Sequence, residues 1–181
     1  MRLFVALCPP EEVRAHLAAA LPEFPPEARP VPPEQWHLTL AFLDEVADEK
    51  VDAVGRAVEV AARSARPFTL QLTGAGAFGR ERGTAWVGLA GETDRLARLV
   101  RVLRGGFVAI GISLENRPFL PHLTVAHGLD LRKPAAAAAL AELNAYRGPT
   151  WRAEQVLLVH STLGPDGPRY ETIGSCALTP A

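Results

Sequence analysis

The chain has 181 residues, a formal net charge of -1, and 48% hydrophobic against 22% charged residues. That length suits one ordinary domain or two tightly joined lobes with a real core, and the composition excludes a disordered chain. The near-zero charge excludes a protein that coats long nucleic acids by global basicity, so a nucleic-acid substrate would be short or gripped locally.

Leu3 to Cys8 reads as a buried strand. This apolar stretch is too short for a secretory segment and runs straight into Pro9 and Pro10, and no later run reaches the length of a membrane span. A cytoplasmic protein with no membrane partner is therefore expected. Pro10-Glu11-Glu12 opens a helix, with Pro in the first turn and carboxylates at its positive end, carrying Val13, Leu17 and Leu21 inward and leaving His16 toward solvent. A Pro-rich loop from Pro22 to Pro33 leads into a strand from about Trp36 to Leu43. Ala47, Val51, Val54, Val58 and Ala61 then keep helical spacing in a helix from about Ala47 to Ser64.

Phe68, Leu70 and Leu72 alternate with Thr69, Gln71 and Thr73 in the next strand, and Thr84 to Leu89 is its partner across a loop holding Gly79, Arg80 and Arg82. A helix from Thr93 to Phe107 carries Leu96, Leu99, Val100, Leu103 and Phe107 on one stripe, and Gly105-Gly106 marks where it frays or stops. After the loop Asn116 to Pro121 come another strand, an alanine-rich helix from Pro134 to Tyr146, and two strands around the turn Gly164-Pro165-Asp166-Gly167. These elements make an α+β fold of two related lobes. Cys8 and Cys176 stand at opposite ends without metal-ligand spacing and read as reduced core thiols.

One phrase occurs twice: His37-Leu38-Thr39-Leu40-Ala41 and, 85 residues later, His122-Leu123-Thr124-Val125-Ala126. On a strand, alternation places His37 and Thr39 on one face and Leu38, Leu40 and Phe42 on the other, with Leu123 and Val125 likewise opposed to His122 and Thr124. An imidazole beside a hydroxyl can move a proton and hold an oxygen, and two facing pairs could grip both ends of a reacting phosphate. A single His-x-Thr is most often structural. The duplication reverses that weighting. His127, an odd step from His122, falls on the opposite face by simple alternation, although strand ends bulge near sites. Arg117, Arg80 and Arg82 are candidate phosphate contacts, and Trp36, Phe78, Phe119 and Tyr170 candidate base-stacking rings, with core packing the commoner role for such rings and Phe119 foremost because it borders the second motif.

Two other readings compete. His37, His122, His127 and His160 could ligate a transition metal, but neither motif adds a Cys, Asp or Glu at short spacing. A nucleotide-binding module without turnover would not need two titratable groups in matched places.

The paired motifs, together with Arg2-Leu3-Phe4-Val5-Ala6-Leu7, Trp36, Gly76-Ala77-Phe78 and Arg117-Pro118-Phe119-Leu120-Pro121, resemble the 2H phosphoesterase superfamily. Within it the chain is most similar to the RNA 2',3'-cyclic phosphodiesterases, also called 2'-5' RNA ligases. The resemblance implies one bilobal domain over residues 1–181, with pseudo-two-fold symmetry and helices outside two antiparallel sheets that face across a cleft. Each lobe would contribute one His-x-Thr strand, at 37–40 and 122–125. It further implies a hydrolase without metal or cofactor, acting as a monomer on RNA ends or small cyclic nucleotides to give a 2'-phosphomonoester, with ATP-independent ligation as the reverse. His37 would be the proton donor, His122 the proton acceptor, and Thr39 and Thr124 phosphate ligands. Relatives often carry an arginine where this chain has His127, which weakens the expected grip on a neighbouring phosphate.

Overall fold

The computed structural model describes residues 1–165 and 167–179. The strands are β1 (Arg2–Leu7), β2 (Arg29–Pro30), β3 (Leu38–Glu45), β4 (Phe68–Phe78), β5 (Gly83–Gly91), β6 (Leu123–Leu129), β7 (Arg147–Ala153), β8 (Gln155–Gly164) and β9 (Gly167–Ala177). The helices are α1 (Glu11–Ala20), α2 (Val51–Arg63), α3 (Thr93–Ala109) and α4 (Pro134–Asn144). All strand pairings are antiparallel, and the order β7-β4-β5-β6-β3-β1-β8-β9 is continuous, with β2 added to β6.

The fold is α+β, as the sequence implies, but its two sheets are joined into one curled sheet by a single pair, Leu38 with Leu123. From that seam outward the two halves match: β3-β1-β8-β9 on one side and β6-β5-β4-β7 on the other. The first half is built from both ends of the chain and the second from its middle. The halves are therefore interleaved, and α2 and α3 pack against each other across them.

Alternation decides which face is dry. Leu38, Leu40 and Leu43 of β3 and Leu123, Val125 and Leu129 of β6 enter one core with Val54 and Val58 of α2 and Leu96, Leu99, Leu103 and Phe107 of α3. The opposite face carries only a small cluster of Phe4, Ala6 and Val159, and the motif side chains stand on it.

α3 does not stop at the two glycines. It continues to Ala109, with Leu103 and Phe107 on either side of the glycines buried in the core. The last helix ends at Asn144 rather than Tyr146, since Tyr146 turns into β7, an element whose short, Pro-interrupted sequence gave no alternation signal. β8 and β9 flank the expected closing turn, of which Asp166 lies outside the described residues. Cys8 is exposed, not core, because β1 ends at Leu7 and Cys8 already belongs to the connection to α1; Cys176 is partly buried.

Candidate active site

His37 and His122 each precede the first residue of their strands, at the seam where β3 and β6 meet. Because Leu38 pairs with Leu123 in an antiparallel sense, Thr39 runs toward His122 and Thr124 toward His37. The four side chains share a cavity of about 210 Å³, with His127 and Tyr170 also on its wall.

Both imidazoles are oriented in the same way. His37 Nδ1 lies 2.7 Å from the Gln35 carbonyl oxygen, and His122 Nδ1 lies 2.7 Å from that of Leu120. A carbonyl can only accept, so each Nδ1 carries the proton and each Nε2 is the nitrogen free to exchange one. These two carbonyls, each two residues before its histidine, escaped the sequence reading, which weighed side chains alone; the matched spacing was their only signal.

Aromatic rings wall each histidine. Phe4 stacks on His37 at 4.8 Å between centroids, and Tyr170 meets it edge-on at 5.3 Å. Phe78 meets His122 edge-on at 4.9 Å, with Trp86 at 6.1 Å. Burial pushes His37 below the ordinary imidazole range; the Gln35 carbonyl opposes that fall, and the nearby His122 adds to it.

His127 shares the cavity despite its odd step from His122, because β6 bulges. Ala126 pairs with Ala85 and Thr124 with Trp86, so Val125 is an extra residue that inverts the alternation after it. The same device sits at the same motif position in β3: Ala41 pairs with Val5 and Thr39 with Ala6, leaving Leu40 extra. Phe42 is thereby turned away from Leu38 and Leu40, contrary to simple alternation, and onto the face of Thr39. His127 and Phe42 are thus twin positions with different chemistry. His127 Nδ1 lies 3.2 Å from the Thr84 hydroxyl, and its strand partner across β2 is Arg29. Its pKa is lowered by partial burial and then by the Arg29 charge.

The other expected contacts divide. Phe119, Arg117, Phe78 and His122 line a second cavity of about 330 Å³ beside the first. Arg117 is exposed there and paired to Glu115 at 3.3 Å. Phe119 is half-buried and packed on the core. Trp36 is fully buried, its indole N–H donating to the Val31 carbonyl at 2.8 Å, so it is a core residue and no stacking platform. Arg80 and Arg82 lie on the exposed β4–β5 loop and line neither cavity. His160 lines a separate cavity with Met1 and Asp44. Among the described residues, no three His, Cys, Asp or Glu side chains converge as a metal site would require.

Residues 9–165 match the model of the 2'-5' RNA ligase superfamily. The RNA 2',3'-cyclic phosphodiesterase of Thermus thermophilus is 37% identical, the match covering 98% of this chain and 90% of that one. Its namesake from Escherichia coli is 41% identical over 68% of this chain and 70% of that one. Among solved structures, TT0787 of Thermus thermophilus aligns with a TM-score of 0.81 at 34% identity and 98% coverage of both chains. Escherichia coli LigT complexed with 3'-AMP aligns at 0.79 and 30% identity, again covering 98% of both.

Proposed function

The chain belongs to the 2'-5' RNA ligase superfamily, and from that premise we propose how it works as an RNA 2',3'-cyclic phosphodiesterase: by two-histidine acid-base catalysis without a metal. The observation that carries this reading is the matched pair of Nδ1-tethered imidazoles, each with its Nε2 free, in one cavity with two threonine hydroxyls.

His122 takes a proton from water through Nε2 as the water oxygen attacks phosphorus. The bond from phosphorus to the 3' oxygen breaks opposite the attack, and His37 gives its Nε2 proton to that oxygen. The products are a 2'-phosphomonoester and a free 3'-hydroxyl, and proton exchange with solvent resets both rings. Thr39 and Thr124 donate hydrogen bonds to the non-bridging oxygens where charge builds. With a 5'-hydroxyl in place of water, the same pair forms a 2'-5' linkage without ATP.

Burial holds His37 neutral, yet an acid must be charged. The anionic cyclic phosphate supplies the reversal, since a negative charge between the rings stabilises the imidazolium. His127 on the cavity wall, with the Arg29 charge on the neighbouring strand position, offers a site for the next phosphate of an RNA strand. Phe119 and Arg117 border the substrate, whereas the exposed Arg80 reaches only a longer strand. One chain supplies both histidines, so the monomer is the working unit. No helix among the described residues is long and apolar enough to cross a membrane. The two unpaired thiols favour action in the cytoplasm.

The test is turnover of a short RNA ending in a 2',3'-cyclic phosphate by protein treated with a strong chelator. Full activity is expected, falling roughly a hundredfold to ten-thousandfold in His37→Ala and in His122→Ala with native circular dichroism. Loss on chelation with recovery on adding zinc would overturn the metal-free mechanism.

A further inference from the structure

The basic residues that the cleft leaves unused are unevenly placed. α3 carries Arg95, Arg98, Arg101 and Arg104, and no acidic residue occurs between Arg95 and Leu114. A three-residue step advances about 4.5 Å along a helix and turns back by about 60°. The four guanidiniums therefore wind diagonally over about 14 Å of the side that Leu96, Leu99, Leu103 and Phe107 leave to solvent. Both ends of this row meet cavities. Arg104 lines the cavity of about 330 Å³ that has His122 and Thr39 on its wall, and donates there to the Glu115 carbonyl at 2.7 Å. Arg95 and Arg98 line another, of about 490 Å³, where the chain leaves α2; Arg66 joins them, and Leu99 and Val102 supply its apolar wall.

Little in the protein balances these charges. Among the described residues, the one carboxylate paired with the row or with Arg66 is Glu92, 3.0 Å from Arg95 and already accepting the Thr69 N–H at 2.7 Å. Arg66, Arg98 and Arg101 make neither an ion pair nor a hydrogen bond among the described residues; Asp94, one turn before Arg98, does not pair with it, and Glu59 is engaged by Arg63. In a chain of net charge -1, cations gathered without counter-charges make a local field that draws an anion. A row of this length suits a polyanion better than one small ion, and the guanidinium fork takes phosphate oxygens in pairs.

We propose that the arginine row of α3, with the cavity it shares with Arg66, docks backbone phosphates of a folded RNA whose reacting end lies in the cleft. This rests on the phosphodiesterase reading above and adds to it a preference for an RNA with a structured body over a free cyclic nucleotide. His127, beside the adjoining phosphate, is absent from the cavity that Arg104 lines. The row therefore takes phosphates from further along the molecule, which a fold brings back to it. Contacts to phosphate carry no sequence information, so the docking is indifferent to base.

The experiment measures kcat and KM over a range of salt for adenosine 2',3'-cyclic phosphate and for a hairpin RNA ending in the same cyclic nucleotide. The wild type is expected to show the lower KM on the hairpin. Arg66, Arg98 and Arg101 are all exposed, so their joint replacement by Arg66→Gln, Arg98→Gln and Arg101→Gln spares the core. This neutral variant should raise KM on the hairpin and lower its slope of log KM against log salt by about 3, one for each lost phosphate contact. Its kcat, and both constants on the mononucleotide, should stay at wild-type values. The set Arg66→Lys, Arg98→Lys and Arg101→Lys, which keeps the charge, should keep the slope. An unchanged hairpin slope in the neutral variant, or an equal rise in KM on both substrates, would overturn the docking surface while leaving the phosphodiesterase reading intact. A wild type that turns over neither substrate would defeat both.

Discussion

Each of the two histidines is steered by one backbone carbonyl, and the cost of losing either follows from what that carbonyl fixes. With Nδ1 committed to Gln35 or Leu120, only Nε2 can act. The roles separate with a cyclic ester whose 3' oxygen is replaced by sulfur, because a thiolate leaves without a proton. On that substrate His37→Ala should recover to within about tenfold of the wild type while His122→Ala stays slow, the general acid alone having become dispensable. Recovery of His122→Ala instead would exchange the two assignments. Thr39→Val and Thr124→Val should cost less than either histidine, since water or backbone donors can partly replace a hydroxyl. The pH dependence follows from the lowered pKa of His37. As pH rises through that lowered value the free enzyme loses the proton its acid needs, so the alkaline limb of kcat/KM should fall below about 6.5, the ordinary imidazole value. The limb of kcat, measured with substrate bound, should lie higher. Coincident limbs would show that the phosphate does not recharge His37.

At the scale of elements, β4 and β5 position His122 through a glycine. Gly76 pairs directly with Trp86, whose indole lies across it, and a Cβ at Gly76 would occupy the space of the ring. Gly76→Ala must push Trp86 off its seat beside His122, costing about 1–3 kcal/mol of stability as an overpacked site does. It should also lower turnover more than KM, whereas Gly55→Ala on α2, where an added Cβ meets nothing within 4 Å, should change neither by much. Equal activity in the two variants would remove the indole from the positioning of His122. The strands also explain what could be read from the chain in advance. His37, Thr39, His122 and Thr124 were legible because duplication is visible in one dimension. The side on which Phe42 and His127 stand was not, because a bulge changes the parity of a strand without leaving a residue-type signal at Leu40 or Val125. Trp36 takes the core role open to all the candidate rings, since proximity to a motif says nothing about which face a ring takes. The two-residue β2 carried no pattern, yet it brings Arg29 opposite His127.

For the whole molecule, the seam between β3 and β6 creates the site. A single strand pair joins the halves, and the two motif histidines stand on either side of it, so the sheet that folds the chain also sets the distance between the proposed acid and base. The two lobes were legible from the repeated motif, but their interleaving was not, because it depends on β8 and β9 returning from the far end of the chain to complete the first half. The chain has a net charge of -1, so local contacts rather than a basic surface must hold the RNA end. The dependence of log KM on log salt should accordingly be shallow, a slope of about 1–2 for a short RNA, matching one or two neutralised phosphates. A steep slope would reveal an extended phosphate track. The central claim, ring opening at the 3' side by paired histidines, is tested most directly by phosphorus NMR of a short RNA 2',3'-cyclic phosphate after incubation with the metal-stripped protein. We expect the cyclic resonance to give way to a single 2'-phosphomonoester; a 3'-phosphomonoester, or a cyclic end that persists, would contradict it.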